Sequence, residues 1–200
     1  MTSTPNVIKE SARGYCALGV DDVLLTDREI FLTEEVNSDT CASLIKQLLF
    51  LNKENPEEEI RFYINSPGGS VSDGLAVYDV IRNIQAPVTT VVIGTAASMG
   101  AILFLAGDKR EMYSNSKAML HDPSFGGGNL AGKKPHQIKA HLDDLLEVQE
   151  KLCEIISERT GKSIDEIKEL TKEDTYFNAE EAVNFGLATS IIGAENRKEN

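Results

Sequence analysis

Three short stretches carry the residue types of nucleophilic acyl chemistry. The first is Val91 to Leu105, VVIGTAASMGAILFL. The apolar, β-branched run from Val88 to Ile93, after Pro87, predicts a buried strand. Met99 to Leu105 is apolar on nearly every face and predicts a buried helix. The strand is expected to break at Gly94 and the chain to restart as helix near Ser98, with only small residues between. The Ser98 hydroxyl then sits near helical N–H groups that lack partners, where negative charge is favoured. Acyl transfer needs such a place, because an oxyanion develops beside the nucleophile. Serine is also a preferred helix cap. On this stretch alone both readings stand.

The second stretch, Asn65-Ser-Pro-Gly-Gly-Ser70, follows the strand-like run Ile60 to Ile64. Its two glycines allow backbone conformations closed to other residues, and their N–H groups can approach a ligand closely. The third, Leu120-His121-Asp122-Pro123, follows Lys117 to Met119, another expected strand end. His121 is a candidate general base, 23 residues after Ser98 (121 − 98). Such a histidine needs a group to orient it, and that group can lie anywhere in the sequence.

Other elements must bring these stretches together. Val23 to Leu32 contains the apolar run Ile30-Phe31-Leu32, expected as the first core strand. Asn37 or Ser38 then caps a helix whose core face is Leu44, Ile45, Leu48, Leu49 and Leu51. Pro56 and Glu57-Glu58-Glu59 read as a solvated turn. Val71 to Ile84 is the next helix. Strand and helix in alternation imply right-handed βαβ units, a largely parallel sheet and the α/β class. Gly107 to Ser114, GDKREMYS, reads as a surface turn. Phe125 to Lys134 reads as a flexible connection before a long helix, about His136 to Arg159. That helix carries a broad apolar stripe, able to pack on its own domain or on another subunit. His136 and His141, on or beside it, read as surface or interface residues. Gly161 closes it. Ser163-Ile-Asp-Glu166 caps a short helix. Asp174 to Phe177 reads as a turn, and Asn178 to Phe185 as a last helix ended by Gly186. Residues 1–20 are expected to be irregular and partly mobile, 21–193 to form a single domain, and 194–200 to be disordered.

The 200 residues suit one domain with a core large enough to stand without disulfides. A net charge of −12 argues against nucleic acid as a major partner and lends no support to an anionic membrane surface. No apolar run reaches the roughly 18 residues of a membrane span. The start, MTSTPNVIKESARG, lacks the apolar segment of a secretory signal. Cys16, Cys41 and Cys153 are scattered and read as reduced thiols, consistent with a cytoplasmic protein.

YINSPGGSVSDGLAVYD, GTAASMGA and MLHDP, in that order, resemble the proteolytic subunits of Clp proteases, the ClpP family within the crotonase-like superfamily. The resemblance runs from about Val7 to Ile192. It implies an α/β crotonase-like (ClpP) spiral of ββα/βαβ units, with a protruding strand-helix handle at about 122–160. It implies a serine endopeptidase that hydrolyses unfolded polypeptide inside a chamber of two stacked heptamers. The resemblance makes Ser98 the nucleophile, His121 the base and Asp174 the third member, ahead of FNAEEAVNFGL in Phe177 to Leu187. Local chemistry alone does not choose between Asp174 and its neighbour Glu173. The oxyanion-hole positions would be the backbone N–H groups of Gly69 and Met99, with Gly69 also the place where a side chain would obstruct substrate. Gly68 would serve the turn. Extended peptide would add beside the glycine-turn backbone at Gly68 and Ser70, and beside an edge at Phe125 and Gly126. Tyr63 matches a tyrosine of the pocket where the unfoldase docks, or is simply a packed strand aromatic. Residues 1–20 would form an axial loop. The implied partners are an AAA+ unfoldase of the ClpX, ClpA or ClpC type and further copies of this chain or of a paralogous ClpP subunit. No cofactor or metal is implied here. The unfoldase would use the ATP, since the sequence holds no G-x-x-x-x-G-K-[ST] phosphate loop.

The sequence also departs from the family. The residues before the aspartate, usually Asp-Arg and paired across the ring–ring interface, are Lys172 and Glu173. Two residues are missing within Gly107 to Ser114. The handle begins with NLAGKKP, and Thr189 replaces an aspartate. These changes keep a second function in view: a ring subunit that is silent without a paralogue. A third, an acyl-CoA hydratase or isomerase of the same fold, would use carboxylates in place of Ser98 and His121.

Overall fold

The computed structural model describes residues 5–11, 14–125 and 132–193. The glycine-rich stretch 126–131, Gly126 included, and the tail 194–200 lie outside the described residues.

One part of the N-terminal expectation, irregular backbone, is corrected. Strands β1 (Asn6–Ser11) and β2 (Gly14–Gly19) form an antiparallel ribbon, in register from Asn6 opposite Gly19 to Ser11 opposite Gly14. Gly14, at φ +113°, opens the second strand rather than ending structure. The ribbon is a sheet of its own and leaves Ile8 and Tyr15 70 % and 79 % exposed. Its backbone pairing is local and needs no buried face, so hydrophobic pattern does not announce it. Helix α1 (Val20–Thr26), which buries no residue, leads into the main domain.

Among the described residues, seven strands make the main sheet. β3 (Glu29–Leu32), β4 (Ile60–Ser66), β5 (Val88–Ala97), β6 (Lys109–Tyr113) and β9 (Ser190–Ile192) lie side by side and parallel. Helix α2 (Ser38–Glu54) follows β3, α3 (Val71–Asn83) follows β4, and α4 (Met99–Ala106) follows β5. Asn37 caps α2 by accepting from the Asp39 and Thr40 N–H groups. Leu44, Leu48 and Leu51 are buried, whereas Leu49, expected on the same face, is 49 % exposed. Leu49 sits about 100° around the helix from Leu48 and falls outside the stripe. Glu57 to Glu59 is more than a solvated turn. Glu59 accepts from Thr89 Oγ1, and Arg28, at φ +63°, donates to the carbonyls of Leu51, Asn55, Glu58 and Glu59.

β5 decides where the site lies. Its first half, Thr89 to Val92, pairs with β6, and its second half, Thr95 to Ala97, pairs with β7 (Lys117–Leu120). The strand does not break at Gly94. A bulge falls there, and the Asn65 side chain fills it, accepting from the Thr95 N–H; a Cβ on Gly94 would lie 2.4 Å from Asn65 Oδ1. β7 in turn pairs antiparallel with β8 (Thr175–Asn178), where the sequence suggested a turn. The expected surface turn at GDKREMYS is β6. Its Met112 is fully buried, and the buried Arg110 donates to the carbonyls of Gly186, Leu187 and Arg159. A charge-rich run can be a core strand when its arginine is satisfied by carbonyls.

Every residue of α4 is buried, at the centre of the core. Helix α5 (Pro135–Thr160) splits its stripe: Leu152, Cys153, Ile155 and Ile156 are buried in this domain, while Ile138, Leu142 and Leu146 stay exposed. The first half therefore contributes little to the core of this domain. Gly161, at φ +76°, ends α5. Helices α6 (Ile164–Leu170) and α7 (Ala179–Phe185) follow, capped by Ser163 and Asn178. Among the described residues no helix is long and apolar enough to cross a membrane.

Candidate active site

Ser98 stands at the junction of β5 and α4 with φ +53° and ψ −123°. Few non-glycine residues hold a positive φ, and strain of this kind collects at functional sites. The bend is held from both sides. The Ser98 N–H donates to Met119 O at 2.9 Å, extending the β5–β7 pairing, and the Ser98 carbonyl accepts from the Ala101 N–H at 2.9 Å. The side chain makes no capping bond to α4, so the cap reading is not what it does. Ser98 Oγ lies 2.8 Å from His121 Nε2.

His121 follows β7 directly. Its Nδ1 lies 2.9 Å from Asp174 Oδ1, across 53 residues of sequence. The rung Leu120 opposite Thr175 sets this approach, because it carries each residue's neighbour to the same strand end. Of the acids among the described residues, Asp174 is the one hydrogen-bonded to the ring. Glu173 is exposed, and the Asp122 carboxylate accepts from Thr171 and Gln149 instead. A carboxylate can only accept, so Nδ1 carries the imidazole proton and Nε2 is left to accept from the serine hydroxyl.

The glycine turn lies against this serine. A Cβ on Gly68 (φ +94°) would sit 2.7 Å from Ser98 Cβ and 2.6 Å from Ala97 O. A Cβ on Gly69 (φ +145°) would sit 2.2 Å from Val36 O. Within the chain Val36 O crowds Gly69, and Gly68 is the glycine that makes room for the nucleophile. Val36 forms a parallel bridge to Gly69: its N–H donates to Gly68 O and its carbonyl accepts from the Ser70 N–H, both at 2.8 Å. Gly68 N–H is held by Ser66 Oγ at 3.2 Å. Backbone groups alternate along an extended chain, so the Gly69 N–H points to the edge away from Val36. Met99 N–H opens the first turn of α4, where a helix has no internal acceptor for it.

A cleft of about 500 Å³ joins Ser98 and His121 to Gly69, Ser70, Phe125 and Glu35, and to His141 and Asp144 of α5. Beside it a small apolar recess is lined by Val71, Met99, Ile102, Leu120, Leu152 and Ile156. His141 is exposed, as expected, yet it lines the cleft, and its Nε2 meets Lys133 Nζ at 2.7 Å. His136 is exposed. Tyr63 lies elsewhere, on the sheet face away from α2 and α3. It stacks on Phe31 at 4.8 Å between ring centres, and its hydroxyl donates to Glu29. Its half-buried ring pushes the phenol pKa up. Lys172 pairs within its own chain, with Glu169. Sequence reasoning missed Ser66, Val36, Asp122 and Thr171. Ser66, two residues before a glycine, had a readable signal in the turn chemistry of serine; the others had none.

A serine, histidine and carboxylate in hydrogen-bonded sequence, opening onto a cleft, is an arrangement for acyl transfer. The family model of Clp protease matches residues 13–195. The chain belongs to the Clp protease family. Membership makes it a member of a peptidase family and gives its α/β architecture the crotonase-like fold. Among the described residues no cluster of His, Cys, Asp or Glu could hold a metal ion.

Proposed function

We propose that this chain is the proteolytic subunit of an ATP-dependent Clp protease, a serine endopeptidase acting on unfolded polypeptide. The observation that carries the reading is the pair of contacts through His121: 2.8 Å to Ser98 Oγ and 2.9 Å to Asp174 Oδ1. Ser98 Oγ attacks the scissile carbonyl while His121 Nε2 takes its proton. Asp174 holds the ring and stabilises the imidazolium. The tetrahedral oxyanion receives the N–H groups of Gly69 and Met99. His121 then protonates the leaving amine, water replaces it, and the acyl-enzyme is hydrolysed.

Extended substrate runs along the Gly69–Ser70 edge, between Phe125 and the handle helix. Family membership supports a chamber of two stacked heptamers in the cytoplasm, fed by an AAA+ unfoldase that spends the ATP. The exposed Ile138, Leu142 and Leu146 of α5 suit a ring–ring contact. Lys172 and Glu173 would belong to that contact, and Tyr63 with Phe31 to unfoldase docking.

The test is intact-mass analysis after a fluorophosphonate probe, on wild type and Ser98→Ala, with ring assembly checked on the same sample. Labelling of wild type alone is expected. An assembled ring that stays unlabelled would overturn autonomous activity and favour a partner-dependent subunit.

A further inference from the structure

The residue after the base is not spent on chemistry. Asp122 is half-buried and tied three ways. Its N–H donates to Thr171 O at 2.7 Å, and its Oδ1 accepts from Thr171 Oγ1. Its Oδ2 accepts from Gln149 Nε2 of α5 at 2.7 Å. Thr171 is 2 % exposed and precedes the Lys172–Glu173–Asp174 segment. On the other side of that segment, Leu120 pairs with Thr175 across β7 and β8. His121 and Asp174 therefore sit inside a closed ring of backbone. One side is the Leu120–Thr175 rung and the other is the pair of hydrogen bonds between Asp122 and Thr171.

We propose that Asp122, Thr171 and Gln149 form a positioning clamp that sets the approach of Asp174 to His121 and anchors it to the handle helix. The inference rests on reading Ser98, His121 and Asp174 as a serine-peptidase triad. The clamp touches no reacting atom. It acts by removing freedom from two short segments whose relative placement fixes the His121 Nδ1 contact. Positional tolerance in such contacts is small: a misplacement of about 1 Å can cost roughly 100-fold in rate. Gln149 adds a carboxamide from α5, and the Glu150–Lys168 ion pair ties α5 to α6, which carries the chain into Thr171. The same helix thus grips the base strand and the acid segment.

The test uses the full-length assembled protein and a fluorogenic peptide. Thr171→Val keeps the shape and the backbone bonds but removes the hydroxyl. It is expected to lower kcat about 10-fold with KM within about twofold, a fraction of the loss a full ångström brings. Thr171→Ser restores the hydroxyl and recovers the rate. Gln149→Leu, on the far side of the clamp, lowers kcat about threefold by the same logic. In an Asp174→Ala background Thr171→Val adds no further loss, because the two act through one contact.

Crystal structures supply a readout independent of turnover, with the His121–Asp174 contact opening beyond 3.5 Å in Thr171→Val, past hydrogen-bonding range. An unchanged kcat with the 2.9 Å contact intact overturns the clamp. So does a full 10-fold loss that persists without Asp174. A wild type that never labels with fluorophosphonate, beside an opened contact in the variant, overturns autonomous peptidase activity and leaves the positioning role supported.

Discussion

Replacing Gly68 by alanine tests the site through its tightest backbone contact. The added methyl would stand 2.6 Å from Ala97 O, 2.7 Å from Ser98 Cβ and 3.0 Å from Met99 N. The Ser98 contact falls about 0.7 Å short of the 3.4 Å of ordinary contact (3.4 less 2.7). None of these three atoms is the end of a flexible side chain, so the turn or the Ser98 bend must move by that amount. Scaled from roughly 100-fold per ångström, the labelling rate of Ser98 should fall about 30-fold or more. Stability suffers separately. A side chain held at φ +94° costs about 1–2 kcal/mol, or roughly 2–8 °C in Tm for a chain of this size.

Gly161→Ala is the control, because φ is +76° and nothing lies within 4 Å of the added carbon. It should lose stability on a similar scale, about 1 kcal/mol or more, yet label within about twofold of wild type, since only the backbone cost applies. The assay is the second-order rate of fluorophosphonate labelling by intact mass, with Tm and sedimentation velocity on the same samples. Folded, assembled Gly68→Ala that labels within about threefold of wild type would refute the packing argument.

Asp174→Asn should cut kcat by about 10⁴, through the wrong tautomer of His121, while Glu173→Gln stays within about twofold; steady-state peptide hydrolysis separates them. Burial raises the thiol pKa of Cys41 and of Cys153 above the ordinary 9.0. The folded chain then keeps protons that the unfolded chain sheds, so this contribution to stability is present below about pH 9 and is lost as pH rises above it. Chemical denaturation across pH 8–11 should show the decline, and Cys153→Ala should flatten it. Exchanging Lys172→Asp with Glu173→Arg should strengthen the double ring, since arginine adds a bidentate fork that lysine lacks; unchanged sedimentation velocity would exclude these two residues from the ring contact.

The sequence by itself determined the elements that local chemistry can specify. β5 and α4 follow from their apolar runs, α3 and most of α2 from spacing. The glycine turn, Ser98 and His121 are legible because motifs of a few residues impose their own backbone geometry. Tertiary structure decided what depends on pairing across the chain. Local chemistry does not choose between Asp174 and Glu173, which the family resemblance alone separates, and the β7–β8 register brings Asp174 to the imidazole across 53 residues. Arg110 reads as surface until the carbonyls of Gly186 and Leu187 close around it. Gly94 reads as a break until Asn65 fills its place. Gly68 and Gly69 read as turn residues until Ser98 and Val36 are set beside them. The physical reason is the same in each case. Periodicity reports which side of an element meets the core, whereas hydrogen-bond partners and close approaches depend on which distant segment the fold brings alongside.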